Sequence, residues 1–205
     1  MKPRSVTRKR PKQARAQLSV AAMLEAAEKI ILTEGSAAVT TTRIAEVAGV
    51  SVGSLYQYFS DKGSLLVVLA ETYMEQDLAL FLSLQADKRG VGFEALVEEL
   101  ATAMLEQYAR NASVRAVLIE YLYATGSSHV MRRIFAVYEE QIASLAEPFF
   151  SHLPRATLAQ RAFIAFHAAE GAMRETALRQ IPAAERRKLA KSIAAGFTGV
   201  FLSKS

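Results

Sequence analysis

Between Thr40 and Lys62 the chain groups hydroxyls, two tyrosines, a guanidinium and an ammonium at spacings suited to contact with a polyanion. Thr40, Thr41, Thr42 and Arg43 fall at the start of an apolar-periodic segment, where hydroxyls, a guanidinium and unpaired helix N–H groups can meet phosphate. Ser51 can cap the next segment, and Val52, Gly53 and Ser54 form its first turn. These side chains are small, so a helix presenting them can bring its backbone close to base edges. Tyr56 and Tyr58 can donate hydroxyls to phosphate, and Tyr56 can also touch a thymine methyl. Gln57 lies between them and joins the same candidate DNA-binding set. Lys62 opens the following helix and can reach the phosphate backbone.

Catalytic chemistry finds no comparable grouping. The histidines are His129, His152 and His167, and no HExxH, P-loop, GxSxG or dinucleotide fingerprint occurs. The carboxylates are spread as on solvated helix faces. The reading is therefore of a protein that is not an enzyme and needs no cofactor or metal.

To position the Thr40–Lys62 set, the sequence predicts two short helices, one capped by Thr40 and running through Ala48, the other over Val52–Phe59. Gly49-Val50-Ser51 is the turn between them, and Gly49 permits a left-handed conformation. Ile44, Ala45, Ala48, Val50, Leu55 and Phe59 are spaced to pack together, with Ala45 small where the helices cross. A helix-turn-helix holds its second helix for the major groove in this way. Short helix pairs with a glycine turn also occur in many all-α proteins, so spacing alone leaves both readings open.

Apolar residues elsewhere recur at helical spacing, and Gly and Pro fall between the periodic segments. The fold class is all-α, with about nine helices. The others are expected at Ser19–Glu34, Lys62–Gln85, Phe93–Ala109, Val114–Ala124, Ser128–Phe150, Ala156–Arg179 and Ala183–Leu202, with Pro148 ending or bending the one that contains it. The first carries an apolar stripe of Leu24, Ala27 and Ile31 and stops at Gly35.

The chain has 205 residues, 51% of them hydrophobic, enough for a sizeable core. It has no cysteine, which excludes disulfides and thiolate metal sites and suits a reducing cytoplasm. Apolar runs such as Leu65–Ala70 are far short of a bilayer span, and no signal-peptide core follows the basic start. Net charge is +5, yet Lys2, Arg4, Arg8, Lys9, Arg10, Lys12 and Arg15 precede Ala16 with no acid among them, leaving residues 16–205 at −2. Residues 16–64 also sum to −2. Bulk charge therefore does not support DNA binding by the helix pair; a basic arm over 1–15 can neutralise phosphates, though such runs also serve RNA and membranes or are simply solvated leaders.

Residues 19–66 resemble the N-terminal domain of the tetracycline-repressor (TetR) family of bacterial regulators. The resemblance rests on Glu34-Gly35, Thr40, Ile44-Ala45, Ala48-Gly49-Val50-Ser51, Gly53, Leu55-Tyr56, Tyr58-Phe59, Lys62 and Leu65-Leu66, over roughly a quarter of the chain. Gly63 departs from it, since the family often has an acidic residue there. The resemblance implies an all-helical homodimer that binds a near-palindromic operator, usually represses, and is released by a small molecule. It implies base or phosphate contact for Thr42 and Arg43, a recognition surface of Ser51, Val52, Gly53, Ser54 and Tyr56, and a phosphate clamp of Tyr58 and Lys62. The implied organisation is an arm over 1–15, a DNA-binding domain over 16–64 with its motif near 40–59, and an effector-binding and dimerisation domain over 65–205.

The body carries no such signature. An apolar cavity with a few polar groups would suit an effector, and Met104, Tyr108, Tyr121, Tyr123, His129, Phe135, Phe163, Phe166, His167, Glu170 and Arg174 are candidates to line it. His167, Glu170 and Arg174 share one helix side and form the polar set. Leu158, Ala162, Ala165, Ala169 and Ala172 follow a spacing of three and four, and with Ile193 and Phe197 are candidates for a dimer interface, or else for a subunit's own core. The resembled family builds its dimer from its last two helices. A non-specific architectural DNA-binding protein and an all-α ligand-binding or enzymatic module are the competing functions.

Overall fold

The computed structural model of the chain describes residues 14–85, 90–126 and 129–203. The regular elements among them are helices: α1 (Ala14–Glu34), α2 (Thr41–Val47), α3 (Val52–Tyr58), α4 (Lys62–Gln85), α5 (Phe93–Ala109), α6 (Ala112–Ala124), α7 (His129–Ala146), α8 (Arg155–Arg179) and α9 (Ala183–Leu202). A short 3-10 turn, Ser36–Ala38, follows α1. The expected basic arm lies outside the described residues, except for Ala14 and Arg15, which open α1.

Two compact units result. One comprises the described residues of Met1–Tyr73 and Ser113–Ser128; the other comprises those of Met74–Ala112 and His129–Ser205. The division falls inside α4 rather than at residue 64, and it places α6 with the N-terminal helices.

In the first unit, α1 buries Met23, Ala26, Ala27, Ile30 and Ile31, at the three- and four-residue spacing of one helix face. Ile44, Ala45, Leu55 and Phe59 are buried as expected, and Ala48 and Val50 are half-buried. Leu65, Leu66, Leu69 and Ala70 of α4 and Val114, Leu118 and Leu122 of α6 add further buried apolar surface. Tyr73 donates its hydroxyl to Glu28 Oε1 at 2.8 Å, and the Arg115 guanidinium lies 4.8 Å from the centre of its ring.

The second unit packs α5 on α9 and α8, α7 on α8, and α8 on α9. Its core is aromatic: the Phe93 ring lies 5.0 Å from Phe150 and 5.2 Å from Phe201, and Tyr138 stacks on Phe166 at 5.1 Å. Arg161, buried in α8, donates to the carbonyls of Phe201 and Ser203. It thereby satisfies oxygens that the end of α9 leaves without an intrahelical partner. Arg186 joins α9 to α5 through two bonds to Glu106, at 2.7 and 3.2 Å. The helix expected over Ser128–Phe150 ends at Ala146, before Pro148, because proline lacks the N–H the next turn needs and restricts the residue before it.

Candidate nucleic-acid interface and ligand cavity

Local hydrogen bonding dictates the helix pair. Thr40 stands in extended conformation at the N-cap of α2, and its hydroxyl accepts from the Arg43 N–H at 3.1 Å. The helix ends on Gly49 at φ +66°. Val50 N–H reaches back to the Ala45 carbonyl at 2.9 Å and Gly49 N–H to that of Glu46 at 3.1 Å, the paired bonds of a Schellman stop. Ser51 then caps α3 by accepting from the Ser54 N–H at 2.9 Å, and the two serine hydroxyls lie 2.8 Å apart. Thr41 Oγ1 and Tyr56 Oη lie 3.3 Å apart, a second tie between α2 and α3.

Held this way, α3 buries Leu55 and turns Val52, Gly53, Tyr56 and Gln57 outward; Tyr56 is 41% exposed. Thr40, Thr42 and Ser51 are exposed as well, while Thr41, Ser54 and Tyr58 are half-buried. The cap positions and the exposed first turn of α3 thus form one small, uncharged surface.

Two basic candidates are engaged within the chain. Arg43 grips Glu34, with Nη2 donating to Oε1 at 2.8 Å and Nε to Oε2 at 3.0 Å, and it also pairs with Glu46 at 2.9 Å. Hydrogen bonding to Glu34, and next to Glu46, raises the Arg43 pKa above its ordinary value, and the bond to Arg43 lowers that of Glu34. Two carboxylates thus share the Arg43 guanidinium, whose side chain is still 37% exposed. Lys62 lies exposed and donates to the Val39 carbonyl at 3.3 Å. An ammonium has further donors for phosphate.

In the second unit, a cavity of about 660 Å³, mouth included, opens among α4, α5, α7, α8 and α9. Met104, Tyr108, Phe135, Phe166 and Glu170 line it, as the sequence leads one to expect. Tyr121 does not; it belongs to the first unit. Tyr123 and His129 are exposed and also lie outside the lining. Phe163 is 52% exposed, with its ring 4.4 Å from His167. His167 turns to α7 instead, 3.0 Å from Glu139. Arg174 stays behind the wall, donating to Glu170 at 3.3 Å. The polar trio of α8 is thus split, because residues three and four apart fan across an arc wider than the cavity mouth.

Glu170 is the charged group of the lining. Burial pushes its carboxyl above the ordinary value, opposed by Arg174 and then His167. Phe81, Tyr138, Ile142, Leu145 and Met173 also line the cavity, and sequence reasoning missed them. Each looks like an ordinary core residue, and the void they share comes from five separate helices.

Leu158, Ala162 and Ala165 are buried in the subunit's own core. Ala169 and Ile193 also pack internally, and both line the cavity together with Phe197. Ala172 is half-buried. The outer surface between α8 and α9 presents a groove that brings four of the interface candidates, Ala165, Ala169, Ile193 and Phe197, together with Ala168, Ser192, Gly196 and Val200.

Residues 23–69 match the model of a family described as bacterial regulatory proteins, tetR family. Over 85 residues the chain is 34% identical to a nucleoid occlusion factor, SlmA, of Glaesserella parasuis, covering 42% of this chain and 41% of that protein. The chain thus spans about half the length of the curated relatives it matches. Among solved structures, the fatty acid degradation regulator FadR of Bacillus halodurans superposes with a TM-score of 0.66 at 17% identity, over 93% of this chain and 97% of that one. A tetR-family transcriptional regulator of Streptomyces coelicolor gives 0.69 at 18% identity, over 91% and 79%. The family match falls on the helix-turn-helix itself, so residues 23–69 form a domain of the tetR-family type, and the fold is shared along nearly the whole chain with these solved regulators.

Proposed function

We propose that the chain is a sequence-specific repressor, binding a near-palindromic operator as a homodimer and leaving it when a small molecule enters the cavity of the second unit. The observation that carries this reading is the exposed face of α3, where Val52, Gly53, Tyr56 and Gln57 stand clear of the core on a helix capped at its start by Ser51. A helix so presented fits the major groove, with Thr40, Thr42 and Ser51 placed for phosphate and Tyr58 and Lys62 at the margin.

With Arg43 tied to Glu34 and Glu46, affinity has to draw on helix N-termini, Lys62, the basic arm and the doubling of sites in a dimer. The groove of Ala168, Ser192, Gly196 and Val200 suits that dimer, since small residues let helices of two copies approach closely. A monomeric mass by light scattering at micromolar concentration would remove the dimer from the proposal. The cavity wall is aromatic and aliphatic apart from Tyr108, Tyr138 and Glu170, so the effector is a mainly apolar molecule with a group that bonds to a carboxylate or phenol. No described helix is long and apolar enough to cross a membrane, in keeping with action on cytoplasmic DNA.

Selection of bound fragments from genomic DNA tests the proposal. At ~150 mM salt the selected site should be preferred over random duplex by roughly 10³-fold or more. Equal binding to both would favour an architectural DNA-binding protein instead.

A further inference from the structure

The first turn of α4 carries a residue choice that the DNA-facing surface does not explain. Gly63 is buried and helical, with no left-handed backbone to require glycine. Glycine is the poorest helix former after proline. Space is the reason for it here: a Cβ at position 63 would stand 2.0 Å from the Tyr121 hydroxyl oxygen and 3.1 Å from Tyr121 Cζ. The phenol, carried by α6, fills the volume that a side chain of residue 63 would take.

The same turn holds two more ties. Asp61 caps α4, its Oδ1 accepting from the Ser64 N–H at 2.7 Å, while the Ser64 hydroxyl donates to the Asp61 carbonyl at 2.8 Å. Lys62, between Asp61 and Gly63, donates to the carbonyl of Val39. Val39 is buried and immediately precedes Thr40, the cap of α2. Four consecutive residues thus join the α6 phenol to the backbone that enters the helix-turn-helix. Burial, and after it the charge of Asp61, raises the Tyr121 pKa, opposed by Thr125.

We infer that Tyr121 is a positioning residue for DNA binding: seated in the notch left by Gly63, it fixes the first turn of α4 and, through Lys62 and Val39, the entry to α2, without itself touching DNA. The inference rests on the DNA-binding reading above.

The test uses the full chain and a labelled duplex recovered by the genomic selection. Gly63→Ala should weaken binding about tenfold, and Gly63→Ala with Tyr121→Phe, which removes the oxygen the new methyl would strike, should return to within about threefold of wild type. The salt slope should stay unchanged in both, since neither residue meets phosphate. Should Gly63→Ala alone fail to fold, as a melting curve would reveal, Tyr121→Ala vacates the notch without a clash. It should loosen binding about threefold or more and speed amide exchange in α2. The inference is overturned if Gly63→Ala binds like wild type, if the double variant of a folded pair is no better than the single, or if Tyr121→Ala changes neither affinity nor exchange. A wild-type chain that binds no duplex overturns the DNA-binding reading, and this inference with it. A wild type that binds beside indifferent variants overturns the inference alone.

Discussion

The helix-turn-helix keeps its chemistry on the outside, and the unit built from α5, α7, α8 and α9 keeps it on the inside. In the first, caps and a glycine stop fix two short helices so that small and hydroxylic side chains face out. In the second, aromatic rings from five helices meet incompletely and leave a cavity with a carboxylate in its wall. A surface of this kind depends on backbone placement and little on core volume; a cavity depends on every side chain around it. Substitutions should therefore separate the two regions by what they damage.

The largest effect is expected in the second unit. Phe201 is 1% exposed and lies against the rings of Phe93, Phe150 and Phe197. Phe201→Ala should cost about 3–5 kcal/mol of stability, read by denaturant unfolding. A loss below about 1 kcal/mol would show that this core repacks easily, and the contrast with the first unit would weaken.

Backbone strain gives the next largest effect, in the first unit. Gly49 sits at φ +66° with open space around the position a Cβ would take. Gly49→Val therefore meets no neighbour and pays only for a left-handed backbone, about 1–3 kcal/mol. Gly49→Asn, which tolerates that conformation better, should recover much of it. Equal losses for valine and asparagine would point to something other than the turn.

These two positions show why the regions differ in legibility. Gly49, Thr40, Ser51 and the run from Ile44 to Phe59 act within a few residues of themselves, so their roles could be read in order along the chain. The void in the second unit is a remainder, set by how five helices fail to fill space. Tyr108, Phe135 and Glu170 were recoverable as aromatic or polar interruptions in apolar faces; Ile142 and Leu145 carried no mark. Leu158 and Ala162 show the reverse difficulty, since a small-residue stripe reads alike whether it meets a partner or its own core. The Arg43–Glu34 pair went unread for a related reason: its partners lie nine residues apart, beyond the reach of helical spacing rules.

On the recognition surface the effect should appear in binding and not in folding. Tyr56→Ala removes an exposed ring whose hydroxyl lies 3.3 Å from Thr41. Operator affinity should fall by about 1–3 kcal/mol, while the melting temperature stays nearly constant, as for most exposed substitutions. Retained affinity with a lowered melting temperature would make Tyr56 a brace between α2 and α3.

The smallest effect concerns two carboxylates that the regions perturb in opposite directions. Glu34 is lowered by its bond to Arg43, so the stability it contributes is present above the ordinary carboxylate pKa and fades as pH falls through the folded value. Glu170 is raised by burial, so the unfolded chain releases that proton first. Its contribution is present below the ordinary value and is lost as pH rises through the folded one. Glu170→Gln cannot ionise. Melting curves should therefore show the variant gaining on wild type as pH climbs from about 4 toward neutrality, whereas Glu34→Gln should fall behind over the same interval. A gap for Glu170→Gln that stays flat with pH would mean that Arg174 holds the carboxylate charged in the cavity wall. The wall would then offer an effector an anion already paired, and both regions would treat their acids alike.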